Sequence, residues 1–222
     1  MARPNRGFID GGIYHILNRG NGRQPVFLSE GDYRAFIDVL QESKRKFSVA
    51  LYAYSIMPNH FHFVAECSSA KTYSPWLQWL TTTHARRYHK YYGGSGHVWQ
   101  GRFKSFLIGS DEYFLTVLRY VESNPLRAGL VCSADLWPWS SFRQRDGFDD
   151  NKWIDEPPVP LPQGWSDWVN RPIGEPELIA LRASVNRQAP YGPKLWQIEM
   201  CKRLKMESVL KPLGRPKRGQ TP

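Results

Sequence analysis

The sequence predicts an α+β domain built on a ferredoxin-like or RRM-like βαββαβα antiparallel sheet, and three observations lead to that fold class. Short β-rich runs alternate with helical periodicity through residues 12–124. Two of the β-rich runs are separated only by a tight turn, and no internal repeat is found. A single sheet with helices packed on it accounts for this order.

The first half of the domain follows the order β, α, β, β. Residues 12–17 form a predicted strand, and residues 32–46 repeat apolar side chains at helical spacing. Residues 49–56 and 61–65 are β-rich and lie on either side of the turn Met57-Pro58-Asn59. This arrangement favours a hairpin.

The second half adds a helix, a strand and a helix. A serine followed by proline begins a predicted helix over residues 74–91, because such a pair is typical of an N-cap and first turn. Residues 103–108 form the fourth predicted strand. The last helix is predicted to run from residue 110 to about residue 124, where Pro125 should end it.

The chain beyond this domain differs in composition. We expect the domain to occupy residues 1–145 and residues 146–181, rich in Pro and Trp, to form a linker or an extended wrap. Residues 182–222 form a basic C-terminal segment with a short predicted helix over 194–205. The predicted organisation is therefore a sheet domain followed by a C-terminal extension.

The positive charge is concentrated at the C-terminus. The chain of 222 residues carries a formal net charge of +10, and residues 182–222 alone contain 10 basic and 2 acidic side chains. Such an excess attracts a polyanion, for which nucleic acid is the obvious candidate. A solvated basic surface that keeps the protein in solution is the alternative interpretation.

Cysteine usage and hydropathy indicate the compartment. Three widely spaced cysteines, Cys67, Cys132 and Cys201, provide neither a disulfide framework nor a Cys-x-x-Cys zinc site. No apolar run approaches the roughly 20 residues needed to cross a bilayer. We therefore expect a cytoplasmic protein with no membrane partner, and the charge excess, with nucleic acid as its candidate partner, makes this a nucleoid-associated one.

A His-x-His pair begins the third predicted strand. Strand alternation places His60 and His62 on one face and Phe61 and Phe63 on the other. Two residues along a strand span roughly 6.6 Å, from which two imidazoles can converge on one metal ion. Two half-exposed strand histidines are the alternative, and Glu66 lies too far along the strand to be a good third ligand.

The last predicted helix carries Tyr120 and Asn124 four residues apart on the flank of its apolar stripe. An amide oxygen at this edge could complete a metal site, and a phenol beside it could attack an electrophile held by the same ion. Taken alone, Tyr120 could equally be one of eleven tyrosines at the boundary of a core.

Three ordered blocks together resemble a known family. They are residues 57–62 (MPNHFH), 96–105 (GHVWQGRFKS) and 119–130 (RYVESNPLRAGL). The set resembles the single-tyrosine HUH transposases and, more narrowly, the REP-associated tyrosine transposases. The similarity covers about residues 7–142 and extends to PYG at 190–192 and LGRPK at 213–217.

The resemblance implies a metal-dependent transesterase that acts on single-stranded DNA and recognises REP-like hairpins. It implies that residues 1–145 form the HUH catalytic domain, that His60 and His62 bind Mg²⁺ or Mn²⁺, and that Tyr120 is the nucleophile. Asn124 stands where relatives carry a polar third ligand, often Gln. The implied adduct is a 5′-phosphotyrosine with a 3′-OH on the other product, and the protein is expected to act as a monomer or homodimer.

Several further side chains are candidates for DNA contact. Arg86, Arg87, Arg102 and Lys104 could reach phosphates, and Trp99 or Phe103 could stack on an unpaired base. Core packing of the aromatic rings and solvation of the cations are the alternatives.

The C-terminal GRPKR sequence at 214–218 resembles the core of an AT-hook. Pro216 keeps such a segment extended, and a narrow minor groove concentrates negative potential around an inserted arginine. Arg215, Lys217 and Arg218 are therefore candidate DNA contacts, and a non-specific basic tail is the alternative.

Two other functions remain compatible with the sequence. An RRM-like sheet can hold single-stranded nucleic acid without cutting it, and a metal-dependent hydrolase would use water without a covalent intermediate. The presence of His60, His62 and Tyr120 together favours the transesterase, because a binding module needs none of them.

Overall fold

A four-stranded antiparallel sheet forms the centre of the protein. The computed structural model describes residues 7–147 and 152–211. Its strands are β1 (Ile13–Arg19), β2 (Val49–Met57), β3 (His60–Cys67) and β4 (Lys104–Leu107), in the spatial order β2-β3-β1-β4. All three neighbouring pairs are antiparallel, and β2 and β3 form the expected hairpin. The predicted α+β fold with a helical C-terminal region is confirmed.

In the part of the chain that the structure describes, eight α-helices surround or follow the sheet. They are α1 (Glu30–Phe47), α2 (Ala70–Tyr92), α3 (Asp111–Glu122), α4 (Asn124–Arg127), α5 (Phe142–Arg145), α6 (Trp165–Asn170), α7 (Glu175–Arg187) and α8 (Lys194–Arg203). The last of these confirms the short helix predicted near the C-terminus. Within residues 7–147 and 152–211, no helix combines the length and the apolar character that a bilayer crossing requires.

The sheet is covered on both faces. Phe61 and Phe63 of β3 belong to the core formed with α1 and α2, where Phe36 and Trp76 are fully buried. Val64, on the opposite face of the same strand, belongs to a second cluster with Val117 and other side chains of α3. Alternation along β3 therefore assigns one face to α1 and α2 and the other face to α3.

The predicted start of α2 is wrong by four residues. The helix begins at Ala70, where the Ser69 hydroxyl accepts from the Lys71 N–H at 3.3 Å, and Pro75 lies inside the helix. Tyr73 precedes this proline, is fully buried and accepts a hydrogen bond from the Cys67 N–H at 2.9 Å. Tertiary packing of the first turns therefore outweighs the local helix-start signal at residues 74–75.

The helix that carries Tyr120 ends slightly earlier than predicted. It stops at Glu122, and the chain continues through Ser123 into α4, which contains Pro125 in its first turn. Proline is compatible with a first turn because the missing N–H has no intrahelical partner there. Asn124 consequently begins the next helix and does not lie on the helix of Tyr120.

The stretch interpreted as a linker or wrap contains regular structure. Helix α6 lies within it, and Trp165, Val169 and Ile173 are buried in the α3 cluster. Helix α7, which begins at Glu175, was not predicted. Because these helices bury a few large side chains without a sustained apolar stripe, periodicity could not reveal them.

A buried histidine should make the stability of the fold depend on pH. His84 packs against Phe27, Phe36 and Trp99, and burial lowers its pKa to about 4. The unfolded chain, with a His pKa of about 6.5, binds more protons, so the free energy of unfolding falls as pH drops through 6.5. His84 should account for about 2 kcal/mol of this loss at pH 5.

Denaturant unfolding of His84→Gln at pH 7 and pH 5 measures this contribution. We expect the variant to lose less stability than the wild type between these two pH values. The exposed His97, changed to Gln, serves as the matched control and should retain the wild-type dependence. Identical pH dependence in the His84 variant and the wild type would contradict the assignment.

Candidate active site

The two histidines of β3 lie on the sheet face covered by α3. His60 pairs with Arg19 of β1 and with Met57 of β2, whereas His62 pairs with Leu17 and Ser55. The centroids of the two imidazoles are 5.0 Å apart, and the rings are inclined at 76°. The geometry therefore brings both rings together at the α3 side of the sheet.

A third histidine, which the sequence analysis did not single out, completes this group. His15 of β1 is fully buried, and its Nε2 lies 2.9 Å from Nδ1 of His62. Its position inside an apolar strand was visible in the sequence. The register between β1 and β3 was needed to place it next to His62.

Tyr120 projects from α3 toward these histidines. Its ring centroid lies 6.0 Å from that of His62 and 6.1 Å from that of His15, and both contacts are nearly perpendicular. Only 7 % of Tyr120 is exposed. The rings of Tyr120 and His62 are thus close, and the ring of His60 lies next to that of His62.

Arg127 connects Tyr120 with Asn124. Its guanidinium carbon lies 4.0 Å from the centroid of the Tyr120 ring, and Nη2 donates to Oδ1 of Asn124 at 3.0 Å. No Asp or Glu in residues 7–147 and 152–211 forms an ion pair with Arg127 or Arg19. A partly buried guanidinium without a carboxylate partner is costly, and an anionic ligand would offset that cost.

Two side chains flanking Tyr120 hold α3 in place. The Glu122 carboxylate is fully buried and accepts hydrogen bonds from Ser141 at 2.8 Å, Arg145 at 2.9 Å and Trp165 at 2.8 Å. Arg119 donates to backbone carbonyls of Trp168, Arg171 and Pro172, and it stacks on the Trp168 ring. These contacts fix the helix on either side of the tyrosine.

The histidines are uncharged at neutral pH. Burial lowers the pKa of His60 to about 4, with a further contribution from Arg19. Burial also holds the pKa of His62 well below 6.5 and lowers that of His15 to about 3. Neutral imidazole is the form that binds a metal ion, so the low pKa values keep these histidines in the form that can act as metal ligands.

The donor set fits a divalent ion held by two imidazoles and oxygen ligands. The described residues contain no group of three or more His, Cys, Asp or Glu that could hold a metal. Glu66, which the sequence placed too far along the strand to be a good third ligand, accepts a hydrogen bond from the Tyr52 hydroxyl at 2.6 Å. The Asn124 carboxamide is buried, and its Nδ2 has no hydrogen-bond partner among the described residues. This nitrogen is a donor, so it suits a phosphate oxygen and not a cation; the atom that could bind an ion is Oδ1, which accepts from Arg127 at 3.0 Å.

The candidate DNA contacts fall into three groups. Lys104 is exposed and lies on the histidine face of the sheet, because it pairs with Leu17 and Leu17 pairs with His62. Arg102, two residues earlier in the chain, is also exposed. Arg86 and Arg87 are exposed on α2, across the sheet from Tyr120. Arg215, Lys217 and Arg218 lie outside the described residues.

The two aromatic candidates are buried in the core with α1 and α2. Trp99 is 6 % exposed and packs against Phe27 and Phe61, and Phe103 is 7 % exposed. This is the alternative that the sequence left open, and it leaves neither ring available to stack on a base.

Comparison with known proteins gives consistent matches. Residues 9–124 match the sequence profile of the family described as IS200-like transposases. A protein of Haemophilus influenzae described as a REP-associated tyrosine transposase is 27% identical over 156 residues, which cover 65% of this chain and 87% of that protein.

Solved structures also resemble the fold. A REP-associated tyrosine transposase bound to a REP hairpin aligns with a TM-score of 0.57 and 20% identity, over 78% of this chain and all of that chain. A transposase from Deinococcus radiodurans aligns with a TM-score of 0.39 and 18% identity, over 55% of this chain and 96% of that chain. The likeness to the hairpin-bound structure supports the fold assignment.

Removal of the Glu122 carboxylate should loosen α3. We expect Glu122→Ala to lower the free energy of unfolding by about 3–5 kcal/mol, because it leaves Arg145 buried without its counter-charge. Denaturant unfolding measures the change. The exposed Glu112 at the start of the same helix, changed to Ala, is the control; equal effects of the two substitutions would contradict this account.

Proposed function

Because this chain belongs to the IS200-like transposase family, we propose that it is a metal-dependent endonuclease and strand transferase acting on single-stranded DNA beside hairpins. Membership in this family implies a DNA-cleaving transposase. The observation that carries it is the buried Tyr120 ring beside the neutral His62, whose imidazole lies next to the neutral imidazole of His60 on the same face of the sheet. A phenol and two imidazoles in this arrangement suit a nucleophile next to a Lewis acid.

Tyr120 is the proposed nucleophile. Its phenolic oxygen forms a bond to phosphorus as the bond from phosphorus to the 3′-oxygen breaks, and the departing oxygen takes up a proton to give a 3′-OH. The phenol loses its proton to solvent, and the other product stays attached as a 5′-phosphotyrosine. Since one phosphodiester replaces another, a second 3′-OH can reverse the step and join strands.

The remaining residues of the site hold and orient the phosphate. Families of this kind use divalent metal ions, and we propose Mg²⁺ or Mn²⁺ here, held by His60, His62 and Asn124. The ion supplies Lewis-acid polarisation of the phosphate when bound. Arg127 and Arg19, which lack carboxylate partners among the described residues, provide positive charge for the same phosphate.

A hairpin is the proposed substrate context. The structural relative was determined bound to a REP hairpin, and this chain has its largest positive charge in residues 182–222. We propose that Arg102 and Lys104 bind phosphates near the scissile position. Arg215, Lys217 and Arg218 of the C-terminal tail, and Arg86 and Arg87 on the far side of the sheet, would then bind flanking DNA.

The non-catalytic alternative has little support in this fold. An RRM-type binding module exposes aromatic side chains on one face of its sheet. Here Phe61 and Phe63 are buried beneath α1 and α2, and α3 covers the other face. A hydrolase that uses water without a covalent intermediate is separated from the proposed transesterase by trapping the adduct.

Replacement of the nucleophile should abolish the covalent product. We expect wild-type protein incubated with hairpin oligonucleotides and Mn²⁺ to form a DNA adduct that survives SDS electrophoresis, and Tyr120→Phe to form none. Tyr113→Phe, on the same helix, is the matched control and should form the adduct. An adduct formed by the Tyr120 variant would show that another residue attacks phosphorus.

Loss of the Arg127 charge should slow cleavage. A hydrogen bond to a charged group contributes about 1.5–3 kcal/mol, so Arg127→Gln should reduce the single-turnover rate of adduct formation by roughly 10- to 100-fold. The exposed Arg34 on α1, changed to Gln, is the control and should react at the wild-type rate. A wild-type rate for Arg127→Gln would remove this residue from the phosphate site.

A further inference from the structure

We propose that Asn59 is a positioning residue for the histidine pair: it determines which ring nitrogen of His60 carries hydrogen and thereby presents Nε2 of His60 as the metal-binding atom. The metal-binding role in this inference rests on the proposed function. The position of the hydrogen is derived from hydrogen bonds among the described residues.

The orientation of the Asn59 amide is set by the backbone. Its Nδ2 donates to the carbonyl oxygen of Arg23 at 2.8 Å, and a carbonyl can only accept. The amide oxygen must therefore be the atom that faces Nδ1 of His60, at 2.6 Å. An amide oxygen can only accept, so Nδ1 of His60 carries the hydrogen. In a neutral imidazole, the lone pair then resides on Nε2.

Asn59 is itself held rigidly. Its carbonyl oxygen accepts from the Gly20 N–H at 2.7 Å, and the preceding Pro58 carbonyl accepts from Val26 at 2.8 Å and Phe27 at 3.1 Å. The turn between β2 and β3 is thereby bound to residues 20–27. The contact with His60 thus gives Asn59, the Asn of MPNHFH, a chemical role that the proposed mechanism does not otherwise assign to it.

His15 contacts His62 at the same ring nitrogen, but this contact leaves two arrangements of the hydrogen open. The two rings share one hydrogen between Nε2 of His15 and Nδ1 of His62, at 2.9 Å. If His62 donates, its Nε2 keeps a lone pair, and the hydrogen of His15 lies on its Nδ1, which is buried without a partner among the described residues. If His15 donates, Nε2 of His62 carries hydrogen and cannot bind a cation. Only the first arrangement is compatible with a site that uses both histidines.

The test reads the ring nitrogens directly in the full-length protein without metal or DNA. Two-bond ¹H–¹⁵N spectra at neutral pH distinguish the Nδ1–H from the Nε2–H form of each histidine. We expect His60 to be the Nδ1–H form in the wild type and a mixture in Asn59→Ala. Asn59→Asp keeps an acceptor oxygen and should keep the Nδ1–H form.

A titration with Mn²⁺ alone, followed by electron paramagnetic resonance, supplies the second measurement. Loss of such an outer partner typically costs 10–100-fold in metal affinity, so we expect a decrease of about that size for Asn59→Ala and no comparable decrease for Asn59→Asp. Asn186→Ala, exposed on α7, is the control and should bind Mn²⁺ as the wild type does.

The outcomes separate this proposal from the proposed function. An Nε2–H form of His60 in the wild type or in Asn59→Asp would overturn the positioning role, as would unchanged Mn²⁺ affinity in a folded Asn59→Ala. None of these measurements involves DNA cleavage. Failure of the Tyr120 experiment would therefore overturn the nuclease assignment and leave the result on Asn59 intact.

Discussion

The alternation of side chains along β3 is the constraint on which the site depends. Phe61 and Phe63 are fully buried in the core with α1 and α2, which commits His60 and His62 to the opposite face. A register shift of one residue would turn the two phenylalanines toward α3 and place both imidazoles in the apolar core with α1 and α2. The hydrophobic free energy of the aromatic side chains therefore fixes the direction in which the polar pair points.

The opposite wall of the site has a different physical basis. Helix α3 presents Tyr120 to the sheet. Arg119 and Glu122, which flank the tyrosine, form buried hydrogen bonds in which the guanidinium donates to backbone carbonyls and the carboxylate accepts. Arg19 and Arg127, by contrast, have no carboxylate partner in the described part of the chain. The charges that position the helix have partners within the fold, Arg119 with Glu177 and Glu122 with Arg145. The charges of Arg19 and Arg127, beside His60 and Tyr120, have no carboxylate partner in the described residues, and this pattern is complementary to an anionic ligand.

Much of this arrangement could be predicted from local sequence signals. Strand alternation gave the common face of His60 and His62, and helical periodicity gave the helix of Tyr120. His15 could not be found in this way, because its partner lies 47 residues away and only the register of β1 against β3 brings them together. The start of α2 was missed for a similar reason: contacts of Tyr73 with distant backbone groups extend the helix beyond its local signal. Helix α6 was not predicted, because one tryptophan and two aliphatic residues pack this segment against the core without a repeating apolar stripe.

The contacts of α3 also affect how this protein can vary. Glu122 meets Trp165, and Arg119 meets Trp168, although both tryptophans lie in a stretch whose composition suggested a linker. A substitution at either tryptophan changes the support of the helix on which residue 120 lies. Among homologous chains, residue 165 should therefore co-vary with residue 122, and residue 168 with residue 119. The contact between each pair would be conserved even where the individual side chains differ.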